Sequence, residues 1–179
     1  MTTEELIALA LESGFDAAAP LDVRCLQSLP EIREMCAANR CRSYNLRWSC
    51  PPAVGTPEEL QKKLRSFQYA LLTQTFGQRE DPFDYPSIQA AETRHRENFE
   101  RMAERLHMIF PSLMSMGVGP CQRCRDCSWP NAPCRFPELL SPPMEAFGLS
   151  VSELCRAAGL SYYRGPDGIC FTSCFLYNK

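Results

Sequence analysis

Histidine is nearly absent from this chain: His95 and His107 are the only two in 179 residues. They stand about 120° apart around the axis of what reads as one helix, so they do not pair as ligands, and both are expected on the surface. No run of about eighteen apolar residues occurs, which excludes a membrane-spanning helix. Neither sign of charge is in excess. Lys and Arg number 19 against 21 Asp and Glu, a net charge of -2, and this argues against wholesale binding to nucleic acid or membrane. There is no internal repeat, no low-complexity segment and no phosphate loop, since Gly117, Gly119 and Pro120 lack the Lys-Ser/Thr ending and following helix. The opening MTTEELIALALESG has no basic start and carries Glu4, Glu5 and Glu12, so a secretory leader is not expected.

Cysteine, in contrast, is plentiful, with eleven residues. An oxidised secreted scaffold would pair them, but eleven is odd, and the missing leader points to a reducing cytoplasm. There, clustered cysteines serve metal sites more often than disulfides. The densest cluster is GPCQRCRDCSWPNAPCRFP, residues 119–137, which holds Cys121, Cys124, Cys127 and Cys134. In a C-x2-C-x2-C run each short gap folds the backbone back and brings the thiolates round one centre. Bacterial ferredoxins use the same run with a more distant fourth Cys near a Pro to hold a 4Fe–4S cluster. Zinc ribbons instead use two separated C-x2-C knuckles. Here a contiguous triplet suits a cubane better than zinc, with zinc and free redox-sensing thiols as the alternatives.

A second group, Cys36, Cys41 and Cys50, lies in residues 36–55, where Pro51 and Pro52 hold Cys50 on a stiff extended backbone. Tyr44 and Trp48 are candidates to cover a cluster, or else a structural aromatic pair beside a buried thiol. Cys25, eleven residues before Cys36, is close enough in sequence to complete a second quartet. Arg40, Arg42 and Arg47 flank this group, and Arg123, Arg125 and Arg135 flank the first. Cations near an anionic thiolate cluster raise its potential; the same arginines also suit ordinary surface, or docking of an acidic redox partner or anionic substrate. Nucleic acid is a weaker reading.

The remaining chain predicts an α+β domain spanning residues 1–179, with helices on a four- to five-stranded mixed sheet and both cysteine loops at one end. Helices are expected from Thr2 to about Ser13, from Pro30, from Thr56 to about Arg65, over 87–110 and from Ser150 to Gly159. Phe67–Phe76 is the clearest strand. Weaker strands fall at 15–23 and 113–118, and a terminal hairpin is expected from 160–164 and 169–177. Cys155 lies on an apolar helix stripe and reads as core. Cys170 and Cys174 share one strand face and read as buried small residues.

Three blocks together resemble a family of small prokaryotic proteins described only as predicted metal-binding proteins of unknown function. They are Cys36…Cys41…Tyr44…Cys50-Pro51-Pro52, then Gly119-Pro120-Cys121…Cys124…Cys127…Cys134-Arg135-Phe136-Pro137, then Pro142-Pro143-Met144-Glu145-Ala146-Phe147-Gly148. The resemblance covers about residues 36–151; Pro143 stands where the family carries Ser. It implies a metal, held by the seven cysteines of the first two blocks, and names no reaction. Glu145, inside the third block, reads as an acid–base group, a hydrogen-bond acceptor for a ligand, or a helix cap. The expected function is a cytoplasmic iron–sulfur protein with two 4Fe–4S-type centres, serving electron transfer or a small reductase. The alternative is a zinc-stabilised accessory module. If the Cys36 group lacks a fourth protein ligand, its open metal would take a small-molecule substrate; otherwise the partner is a redox protein.

Overall fold

The computed structural model describes all residues, 1–179. Two helices start on the same local device. In α1 (Thr3–Glu12) Glu5 N–H donates to Thr2 Oγ1 at 3.2 Å while Thr2 N–H donates to Glu5 Oε2 at 2.7 Å. In α3 (Pro57–Leu64) Thr56 and Glu59 do the same at 3.3 and 2.8 Å. Each reciprocal pair satisfies two N–H groups that the first helical turn would leave unpaired.

Between the helices run β1 (Ala17–Leu21), β2 (Tyr69–Gln78), β3 (Ser112–Met116) and β4 (Gly168–Asn178), in spatial order β1-β2-β4-β3. The class is α+β as expected, and all four strands are antiparallel rather than mixed. The single parallel contact is an isolated bridge, Gly117 to Pro143. Pro20 is tolerated because β1 is an edge strand, where a missing N–H leaves no gap in a ladder.

The central strands bury both faces. Leu72, Cys174 and Leu176 face one core with α3, α5 (Val151–Ala157) and residues 144–149. Leu71, Phe175 and Tyr177 face the other, with α1 and α4 (Tyr85–His107). This period-2 division puts helices on both sides of the sheet. Truncating fully buried Leu71 or Leu72 to Ala is expected to cost about 2–5 kcal/mol.

Three details depart from the sequence reading. Helix α4 ends at His107, before Phe110, because Phe110 turns inward to stack on Tyr177 with ring centroids 4.4 Å apart. Residues 160–164 form no strand: β4 already has β2 and β3 on its two edges, and Gln74 Nε2 draws the segment aside by donating to the Ser161 carbonyl at 3.2 Å.

The third is His95, which is only 1% exposed. Its ring nitrogens lie 2.9 Å from Thr75 Oγ1 and 2.7 Å from Ser173 Oγ, hydroxyls on the two central strands. Sequence periodicity marked α4's apolar stripe but not that two strand hydroxyls would meet a histidine beneath it. His107, exposed, is as expected.

Burial, helped by Arg94, lowers His95 from 6.5 to about 4. Between those values the unfolded chain binds the extra proton, so the stability this residue contributes is complete above pH 6.5 and is lost as pH falls toward 4. Urea unfolding from pH 7 to 4 should show a loss of up to about 3 kcal/mol from this group. The same series on His95→Gln should lack that component of the slope.

Candidate metal centre

Residues 119–137 lack regular structure up to the short turn at Pro137, and their shape is set by local hydrogen bonds. Ser128 Oγ donates to the Pro133 carbonyl at 2.7 Å, Ala132 N–H to the Ser128 carbonyl at 2.9 Å, and Arg135 Nη1 to the Asp126 carbonyl at 2.7 Å. These bonds fold the six-residue gap between Cys127 and Cys134 back on itself. Cys121, Cys124, Cys127 and Cys134 consequently line one pocket, together with Arg47, Trp48 and Ser49 from the other loop. All four are free thiols and half-buried.

The second loop follows α2 (Pro30–Ala37) and bends sharply. Asn39, Arg42 and Asn45 adopt left-handed backbone with φ of 51°, 56° and 58°. Asn tolerates this region best because its side chain bonds locally, and Asn39 Oδ1 accepts from Tyr44 N–H at 3.0 Å. Arg42 has no such excuse, and strain of this kind gathers at functional loops. Cys50 is buried, Cys36 half-buried and Cys41 exposed.

The two loops are docked onto each other. Trp48 N–H points at Cys127 Sγ, 3.4 Å away. Cys121 N–H donates to Ser49 Oγ at 2.9 Å, and that hydroxyl also touches Cys50 Sγ at 3.8 Å. Arg47 Nη1 donates to the Cys121 carbonyl at 3.1 Å. The indoles of Trp48 and Trp129 meet edge to face, 4.7 Å apart at 78°, each tied by its Nε1–H to the opposite loop, at Ala132 O and Asn45 Oδ1. Trp48 is thus a cover for the first cysteine group. Tyr44, on its own loop, makes no comparable contact. Ser49, beside Cys50, is the joint that the sequence reading missed.

The third block holds α2 in place. Leu29 N–H donates to the Gly148 carbonyl at 2.9 Å, Arg33 donates to the Ala146 carbonyl, and Cys36 Sγ sits 3.6 Å from the Glu145 carbonyl. Glu145 lies in a short turn, Met144–Phe147, so it caps no α-helix.

Burial is the main cause that raises the Cys36 and Cys50 thiols above the ordinary range. Arg33 opposes it at Cys36, where Glu145 and Cys41 add to it; the Ser49 hydrogen bond opposes it at Cys50, where Cys41 and Cys36 add to it. Cys36, Cys41 and Cys50 are therefore close enough to act on one another electrically. Metal loading there must displace protons.

No three His, Cys, Asp or Glu side chains converge closely enough to hold a single ion. The donor set nonetheless fits a soft metal group: four thiols round one pocket, with a backbone N–H directed at a sulfur. Cys25 is exposed, at the end of the turn Val23–Cys25. Cys155 and Cys174 are buried in the core, as expected, whereas Cys170 is only half-buried. A groove of about 640 Å³ runs between α4 and β3 and shares Trp48, Cys121, Arg123 and Leu140 with the cysteine pocket. Its walls come from distant parts of the chain, so no local motif announced it.

The two cysteine loops thus sit docked together on an α+β frame. Residues 19–177 match the family described as predicted metal-binding protein (DUF2284), and the chain belongs to it. No curated protein and no solved structure matches. No helix is long and apolar enough to cross a membrane.

Gly148 gives this region a stability test. It has φ +76°, and an added Cβ would meet Leu29 N at 3.0 Å and Ser28 Oγ at 2.7 Å. Gly148→Ala should lose at least about 1–2 kcal/mol from left-handed backbone alone, read as a lowered midpoint in urea.

Proposed function

We propose that this chain is a cytoplasmic iron–sulfur protein that passes electrons, with Cys121, Cys124, Cys127 and Cys134 holding a 4Fe–4S cluster. Cys36, Cys41 and Cys50 supply three ligands of a second centre. The observation that supports the reading is that the contiguous C-x2-C-x2-C triplet and Cys134 line one pocket, a donor arrangement that suits a cubane.

When bound, such a group supplies one-electron transfer at a potential set by its surroundings. The chain's own residues do the tuning. Trp48 N–H is directed at Cys127 Sγ, and such a donor would stabilise the more negative, reduced form and raise the potential. The crossed indoles limit access of water to that side.

The partner side of the proposal rests on charge. Residues 36–55 and 119–137 carry six arginines and one acid, Asp126, in a chain of net charge -2. The ion pairs of the chain, Arg24–Asp22, Arg94–Asp16 and Arg105–Glu12, involve none of the six. Arg47, Arg123 and Arg135 line the cysteine pocket itself, and cations there suit an acidic redox protein. The adjoining groove favours a second reading, a small-molecule substrate approaching the same centre, since its volume suits one.

Protein purified without oxygen should carry about eight irons and eight sulfides per chain for two cubanes, with visible absorption that dithionite bleaches. Cys124→Ala should lose about half of both. Stoichiometric zinc without sulfide would overturn the proposal in favour of a zinc-stabilised module. Electron transfer from a reduced acidic ferredoxin should slow by about tenfold or more as salt rises from about 0.02 to 0.2 M. Combined Arg42→Gln and Arg125→Gln should flatten that dependence.

A further inference from the structure

The sheet has two edge strands, and they are finished differently. Strand β1 carries Pro20, whereas β3, with the sequence SLMSM, has neither proline nor charge. Proline and charge are the usual means of blunting an edge. The outer side of β3 is used at one place only, the parallel bridge to Pro143, where Gly117 N–H donates to the Pro142 carbonyl at 3.1 Å. Backbone groups alternate sides along a strand, so Ser115 and Leu113 face outward as Gly117 does. No turn, loop or second strand bonds to the outward N–H and C=O of either residue. Ser115 Oγ is buried and also has no partner. Residues 137–142, which lead to the bridge, stand off from Ser115 instead of pairing with it.

The groove of about 640 Å³ lies along this same edge. Its lining takes Phe99 from the core on one face of the sheet and Phe67, Met114 and Phe147 from the core on the other. A space that reaches both cores and also touches Leu113 and Ser115 wraps the outer edge of β3. One wall is α4 from Glu92 to His107, a length of about 22 Å at the standard rise. The other is residues 137–142. An extended chain of about six or seven residues spans that length. Toward its His107 end the α4 wall presents Glu100 and Glu104, exposed and in no ion pair. Arg96, bonded to Gln122, and Arg123 mark the cysteine end, and Lys63 also lines the groove.

We infer that this groove is a strand-addition site. It takes an extended apolar peptide segment of a partner protein, bonded to the free N–H and C=O groups of Leu113 and Ser115, with a Lys or Arg of the peptide set against Glu100 and Glu104. Paired donors and acceptors at every second residue match the edge of another strand, a repeat that a compact molecule lacks. A second copy of this chain fits poorly, because its own β3 edge lies equally deep between α4 and residues 137–142. Such a peptide replaces the small-molecule occupant considered above, and its binding does not require that the cysteines hold metal.

The probe is an array of labelled peptides of about seven residues, alternating Val, Ile, Leu or Phe with Thr and carrying Lys at one end or the other. A matching array carries Glu in place of Lys. Binding to the whole chain, purified without oxygen, is read by fluorescence anisotropy. The best Lys peptide should bind at least about tenfold more tightly than its Glu counterpart, and combined Glu100→Lys and Glu104→Lys should invert that order. N-methylation of alternate residues removes the N–H groups of one peptide edge and keeps every side chain. In one of its two phases it should weaken binding by about tenfold or more. Ser115→Pro removes an outward N–H without touching the ladder to β4 and should weaken binding likewise; if its urea midpoint falls, the methylated peptides decide. Absence of binding by any peptide, equal binding of both methylated phases, or a preference that charge reversal leaves unchanged overturns the proposal. A groove filled by a small molecule gives the first of these results. A second copy of this chain would give a concentration-dependent dimer that Ser115→Pro dissolves, and that result overturns it too.

Discussion

The docking of one cysteine loop on the other is the constraint on which the candidate site depends. Neither loop has a helix or strand through its cysteines after α2 ends at Ala37, so neither holds its thiols in place alone. The contacts from Trp48 to Cys127, from Cys121 to Ser49 and between the two indoles turn two irregular segments into one body. Individually such hydrogen bonds contribute about 1 kcal/mol. Together they set which thiols face which pocket, a matter of position more than of total stability.

The sheet matters to the site chiefly as a support. Strand β3 leads into the first loop, and Gly117 N–H is held by the Pro142 carbonyl at 3.1 Å as the chain leaves it. That bond ties the entry of the cysteine loop to the segment that also carries Glu145. Helix α2, at the other side, is pinned to the same segment. Residues Pro142–Gly148 are therefore the common anchor of both loops, which accounts physically for a third sequence block without cysteine.

Much of this was legible where the determinant is local. The capping boxes at Thr2 and Thr56, the apolar run of β2 and the C-x2-C-x2-C spacing each express physics within a few residues. The core role of Cys155 followed from its helix stripe. What could not be read depends on distant partners. His95 was expected on the surface; Thr75 and Ser173, which receive it, lie on strands 20 and 78 residues away. The expected strand at 160–164 failed for the same reason, since no single stretch of sequence reveals that β4 has no free edge.

The chain has two tryptophans, and both are spent on the junction between the cysteine loops. Its tryptophan emission, excited selectively over that of the tyrosines, therefore originates from the site alone. A cofactor seated beside Trp48 would dim that light by energy transfer, and separation of the loops would redden it. Opening of the loops can thus be followed in the unlabelled protein, in real time and separately from melting of the sheet, which circular dichroism records.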